Sequence, residues 1–250
     1  MTATEHGVPP GGPAGGAPPP RWGVPDLIVA FLTAQFASAL GFALYASVQG
    51  VPLAELDREV LTIGEIALLQ APLWLGLLGV PLLATRLRGG GPRRDLGLWT
   101  TVRDAPRGLA IGVACQLVLV PIVTLPVFLL TDADQADLEE PARELTDKAQ
   151  GAGVLLLVLV VVVMAPLAEE VFFRGMLQRT LARSMPIWPA MILASVLFGV
   201  SHFQPLQLPA LAAFGLVLSL LVHRSGRLGP AIWAHVGFNA TTVVALLLAR

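Results

Sequence analysis

The sequence holds a single cysteine, Cys115, and only 13% of its 250 residues are charged. One cysteine excludes an intramolecular disulfide and any cysteine-rich metal site, and within an apolar stretch Cys115 reads as a small apolar filler. No H-E-x-x-H occurs, so the arrangement of the soluble zinc proteases is excluded. No repeat period is present, nor a pair of interrupted apolar segments in matching halves, which argues against a secondary transporter. The first residues lack a basic start followed by an apolar core and do not read as a signal peptide. Charge is balanced, with 16 Lys+Arg against 17 Asp+Glu, and no nucleic-acid partner is expected.

What the chain has in abundance is apolar length. Hydrophobic residues make up 55%, the mean hydropathy is +0.73, and the apolar residues fall in long blocks. This predicts an all-α polytopic membrane helix bundle. Residues 1–23 are rich in Gly and Pro and are expected to form a disordered cytoplasmic tail. Residues 24–250 are expected to form one transmembrane domain. Seven spans are predicted, at about 26–48, 61–85, 109–130, from near 151 to about 183, 186–203, 208–222 and 230–249; the count becomes eight if one segment splits. Glu65, near one end of the second span, reads as structural.

Basic residues cluster at 86–107, at 174–183 and at Arg224 and Arg227. Acidic residues cluster at Glu55, Asp57 and Glu59, and at 132–148, where seven carboxylates face Arg143 and Lys148. The bias orients the spans without contradiction and places the basic loops and the N-terminus in the cytoplasm of a plasma-membrane protein.

The most informative stretch is Met164–Arg174, M-A-P-L-A-E-E-V-F-F-R, which follows an unbroken Val/Leu run. Carboxylates at bilayer depth are costly and face a partner, a bundle interior or a water-filled cavity. On a helix Arg174 shares a face with Glu170, four residues earlier, whereas Glu169 points about 100° away. One carboxylate looks paired and the other free. Two further pairs lie one helical turn apart, the aromatic Phe198 with His202 and His235 with Asn239. If the fourth helix runs on to a turn at Ser184–Pro186, Glu169 and His202 each lie roughly 25 Å from that turn in an antiparallel hairpin. His235 and Asn239, early in the last span, come within reach of the same depth, in the cytoplasmic half of the bilayer.

The trio E-E-x-x-x-R, F-x-x-x-H and H-x-x-x-N, in this order over about residues 151–245, resembles the CPBP intramembrane metalloproteases. That family includes the type II CAAX prenyl endopeptidases and bacterial proteins of bacteriocin processing or immunity, the Abi family. The resemblance implies hydrolysis of a peptide bond within the membrane by a glutamate-activated water. It implies Glu169, Glu170, Arg174, His202, His235 and Asn239 as catalytic residues, and a prenylated or membrane-anchored peptide, among membrane lipids, as substrate. Glu169 is the expected base, because an apolar site raises a carboxyl pKa toward neutrality; Glu170 with Arg174 balances charge and holds geometry. Two routes to carbonyl activation stay open. Zn²⁺ held by His202, His235 and Glu169 would polarise the carbonyl; alternatively His202 and Asn239 stabilise the oxyanion directly. The rival expectation is a catalytically silent membrane scaffold or immunity factor that uses the same polar cluster.

Overall fold

The apolar blocks form helices that pack as an all-helical bundle. The computed structural model describes residues 20–56 and 61–250. Residues 1–19 of the expected tail, and Asp57 and Glu59 of the first acidic connection, lie outside the described residues. Six helices are long and apolar enough to cross a membrane: α1 (Val24–Gln49), α2 (Ile63–Arg88), α3 (Asp104–Leu130), and, after an intervening helix α4 (Gln135–Asp147), α5 (Gly153–Leu181), then α7 (Leu208–Ser225) and α8 (Gly229–Leu248). Between α5 and α7 lies α6 (Ile187–Val200), 14 residues long. It rises about 21 Å, short of a hydrocarbon core of about 30 Å. The seven predicted segments are all helical, but only six reach spanning length among the described residues.

The structure differs from expectation at 132–148. The acidic connection folds as α4, capped by Asp134, whose carboxylate accepts from the Ala136 and Asp137 amides while Asp137 reciprocates to the Asp134 amide. Leu138 on its buried face packs with Val120 of α3 and Ala210 of α7. Glu65 does serve structure: it completes a capping box with Thr62 at the start of α2 and accepts from the Tyr45 hydroxyl at 2.5 Å.

Proline shapes the spans. Pro81, Pro121 and Pro166 each follow by two residues the end of a π-helical stretch, at Leu75–Gly79, Cys115–Leu119 and Val158–Met164. A proline cannot donate to the turn before it, and its ring crowds the carbonyl there; a wider turn absorbs both problems. A fourth π stretch, Val171–Leu177, has no proline after it, is buried throughout, and follows directly on Glu169–Glu170. Such turns occur disproportionately at functional sites.

Small residues bring α3 against α8, the helix that carries His235. A Cβ added at Gly112 would lie 2.0 Å from the Ala234 carbonyl oxygen, and one at Gly237 would lie 2.6 Å from that of Leu109. Backbones this close exclude larger side chains, the packing mode favoured where helices gain nothing from excluding water.

Candidate active site

The hairpin required for a shared site is present. Helix α5 continues past Arg174 to Leu181, turns over 182–185, and α6 begins at Ile187 behind Pro186. At the far end of α6 the chain leaves the helix through Ser201, His202 and Phe203, whose amides still bond back to Leu197, Gly199 and Val200. Phe203 takes a left-handed φ of 55°, uncommon for an aromatic residue. That conformation breaks the helix directly after His202.

Three groups converge. Glu169 Oε2 lies 4.0 Å from His202 Nε2 and 3.7 Å from His235 Nε2. The Glu169 and His202 side chains remain 19% and 27% exposed, so the cluster is open on one side. The imidazole tautomers follow from their partners. His202 Nδ1 lies 2.8 Å from the Phe198 carbonyl, which only accepts, so this nitrogen carries the proton. His235 Nδ1 lies 3.0 Å from Glu170 Oε1 and likewise donates. In the neutral form of each ring the Nε2 lone pair is then left on the side of Glu169.

The two adjacent carboxylates meet opposite edges of one ring. Glu169 faces Nε2 of His235 and Glu170 holds Nδ1, which reconciles their divergence on the helix with a single site. Glu170 also accepts from Arg174 Nη1 at 2.8 Å, and both side chains of this pair are fully buried. Arg174 Nη2 donates to the Gly215 carbonyl at 3.1 Å, and its guanidinium lies over the Phe198 ring, 4.3 Å from the centroid. A Cβ at Gly215 would press on that guanidinium from 3.1 Å. Phe198 is wholly buried and also meets the His202 and His235 rings edge to face. One aromatic side chain thus fixes the guanidinium and both imidazoles.

Asn239, one turn beyond His235, is turned to the backbone of α5. Its amide nitrogen donates to the Val161 carbonyl at 2.8 Å. Val161 is five residues before Pro166, the carbonyl that a π turn would pair with the N–H that proline lacks. Asn239 therefore satisfies a backbone group orphaned by Pro166 and ties α8 to α5. Nothing in the sequence around Asn239 signals that partner.

The donor set suits a zinc ion chemically: two imidazole Nε2 atoms, each with Nδ1 tied to an acceptor, and one carboxylate oxygen. The spacing is open. Ligands about 2.0–2.1 Å from a tetrahedral ion lie about 3.3 Å apart, so Glu169 would draw in by about 0.4 Å toward His235 and about 0.7 Å toward His202. Among the described residues no three His, Cys, Asp or Glu side chains are already gathered at ligand spacing.

Residues 151–241 match the family model described as "Type II CAAX prenyl endopeptidase Rce1-like". The matched stretch contains all three motifs, and the match supports the resemblance drawn from them. The protein named "Putative membrane peptidase YdiL" of Bacillus subtilis (strain 168) is 29% identical over 91 residues, which cover 36% of this chain and 37% of that one. No solved structure matches the chain.

Proposed function

We propose that this chain, whose residues 151–241 match the Rce1-like family model, is an intramembrane endopeptidase of the CPBP family. In this reading Glu169 activates water against a peptide bond of a prenylated or membrane-anchored substrate. The observation that carries the reading is the position of Glu169, whose carboxylate faces two imidazole lone pairs beyond hydrogen-bond distance, beside the buried Glu170–Arg174 ion pair.

The steps assigned to the chain's own residues follow from that geometry. Glu169 takes a proton from water as the hydroxyl adds to the scissile carbonyl, then returns it to the leaving amide nitrogen as the C–N bond breaks. His235 and His202 are held in one tautomer by Glu170 and by the Phe198 carbonyl, which keeps their Nε2 atoms on the reacting group. If zinc is bound, His202, His235 and Glu169 would hold it, and it would supply carbonyl polarisation and a more acidic water. Asn239 acts in this scheme by positioning α8 against α5.

The silent-scaffold reading has one observation in its favour: Glu170, Arg174 and Asn239 all hold helices together. Glu169 does not fit it, because a clasp gains nothing from a half-open carboxylate. The discriminating experiment incubates the detergent-purified chain with internally quenched peptides, one farnesylated near its C-terminus and one lacking the lipid. Cleavage of the lipidated peptide, abolished by Glu169→Ala, is expected; no cleavage of either, or equal cleavage by Glu169→Ala, would sink the protease reading.

Orientation is part of the same proposal. The Arg-rich segment 86–107 is assigned to the cytoplasm and α4 to the outside, with the N-terminus inside. After replacement of Cys115, a cysteine introduced at Arg93 should resist a membrane-impermeant thiol reagent added to intact cells, and one at Glu140 should react. The reverse pattern would invert the topology.

A further inference from the structure

Below the end of α5, away from the Glu169 cluster, lies a cavity of about 370 Å³ lined by Trp22, Asp95, Gln178, Arg179, Arg183 and Ile187, among others. Its two arginines outnumber its one carboxylate, Asp95, which attracts both without touching either. Burial pushes the Asp95 carboxyl up, but hydrogen bonds from Arg94, the Trp22 indole and the Gly90 amide outweigh that and hold it below the usual carboxylate range. Asp95 is thus ionised and already engaged. Among the described residues neither Arg179 nor Arg183 forms an ion pair. Arg179 donates to the Gly226 carbonyl at 2.9 Å, and its Nε is buried without a partner. Arg183 lies over the Trp22 ring, 4.2 Å from the centroid, and donates to Thr180.

A second unsatisfied group lies in the cavity wall. Gln178 is 3% exposed; its amide nitrogen donates to the Ser219 carbonyl while its oxygen has no partner. The cavity therefore offers two guanidinium groups for an anion, with apolar Ile187 and Val222 beside them. Guanidinium pairs suit phosphate oxygens, which accept two parallel N–H bonds. The cavity lies at the Arg-rich end of the bundle, the level at which headgroups meet a membrane protein.

We propose that this cavity binds a phosphate ester, supplied by the headgroup of an anionic phospholipid such as phosphatidylglycerol. Arg179 and Arg183 take the phosphate. The site is independent of the protease reading, since none of its residues belongs to the Glu169 cluster.

The test is native mass spectrometry of the full chain in neutral detergent, titrated with phosphatidylglycerol, with phosphatidylcholine, and with glycerol phosphate in the buffer. Phosphatidylglycerol should bind in one-to-one stoichiometry and phosphatidylcholine should not. Arg183→Gln, at an exposed position after α5, should weaken binding about tenfold, the loss of one charge-assisted bond. Arg179→Lys should weaken it without loss of fold, because the charge stays while the fork is lost. Equal binding of the two lipids, or unchanged binding in both variants, would overturn the site. Binding of glycerol phosphate as tightly as of phosphatidylglycerol would overturn the lipid as its source.

Discussion

Glu169→Gln should lower turnover of a cleavable peptide by about 10²–10⁴-fold, the range that a positioned general base contributes, while leaving the folded yield close to that of the unaltered chain. The first half follows from chemistry: an amide of the same shape keeps its place between the two rings but takes no proton from water. The second follows from packing. The Glu169 side chain is 19% exposed and stands 3.7 and 4.0 Å from its imidazole neighbours, so the substitution strands no buried charge. Initial rates and thermal unfolding in the same detergent measure the two halves separately. A rate within fivefold of the unaltered enzyme would remove Glu169 as the base. A collapse of the unfolding midpoint would instead make it a structural residue.

The legible parts of this fold are those governed by apolar period and helix rise. The Val/Leu run before Met164 carries α5 down to its glutamates, and counting rise along the hairpin brings His202 to Glu169. The Glu170–Arg174 pair was likewise written in a four-residue spacing, and it forms at 2.8 Å. Features that break the 3.6-residue period were not legible in that way. The π stretch at Val171–Leu177 has no proline to announce it, and the role of Asn239 depends on a carbonyl 78 residues away that only the folded chain leaves unpaired. Helix α4 is a different case. Its acidity suggested a solvated connection, although Asp134 and Asp137 carried a reciprocal capping pattern and Leu138 and Leu145 an apolar face. The capping pattern was the local signal, and the charge obscured it. The shortness of α6 was hidden as well, because nothing in the residues up to Phe203 announces the left-handed turn that follows α6.

The buried ion pair should respond in the opposite sense to Glu169. Arg174→Gln removes a cation that is fully buried together with Glu170, whose second carboxylate oxygen has no hydrogen-bond partner. Leaving one charge of such a pair in an apolar interior costs about 3–5 kcal/mol, a large share of the 5–15 kcal/mol typical of a folded domain. The substitution also frees the Gly215 carbonyl and withdraws the guanidinium from Phe198, so α5, α6 and α7 lose a common anchor. Folded yield should drop sharply and the unfolding midpoint should fall. Glu170→Gln strands Arg174 in turn, but Gln still offers an oxygen to His235 Nδ1, so the ring keeps its tautomer and the remaining folded fraction should retain part of its activity. The double substitution Glu170→Gln with Arg174→Gln leaves no net buried charge and should be less destabilised than the sum of the single changes. Unfolding midpoints of the three variants in one detergent decide the matter. Strict additivity, or an Arg174→Gln midpoint equal to that of the unaltered chain, would show that the pair does not hold these helices, and the division of labour between a reactive Glu169 and a supporting Glu170 would fall with it.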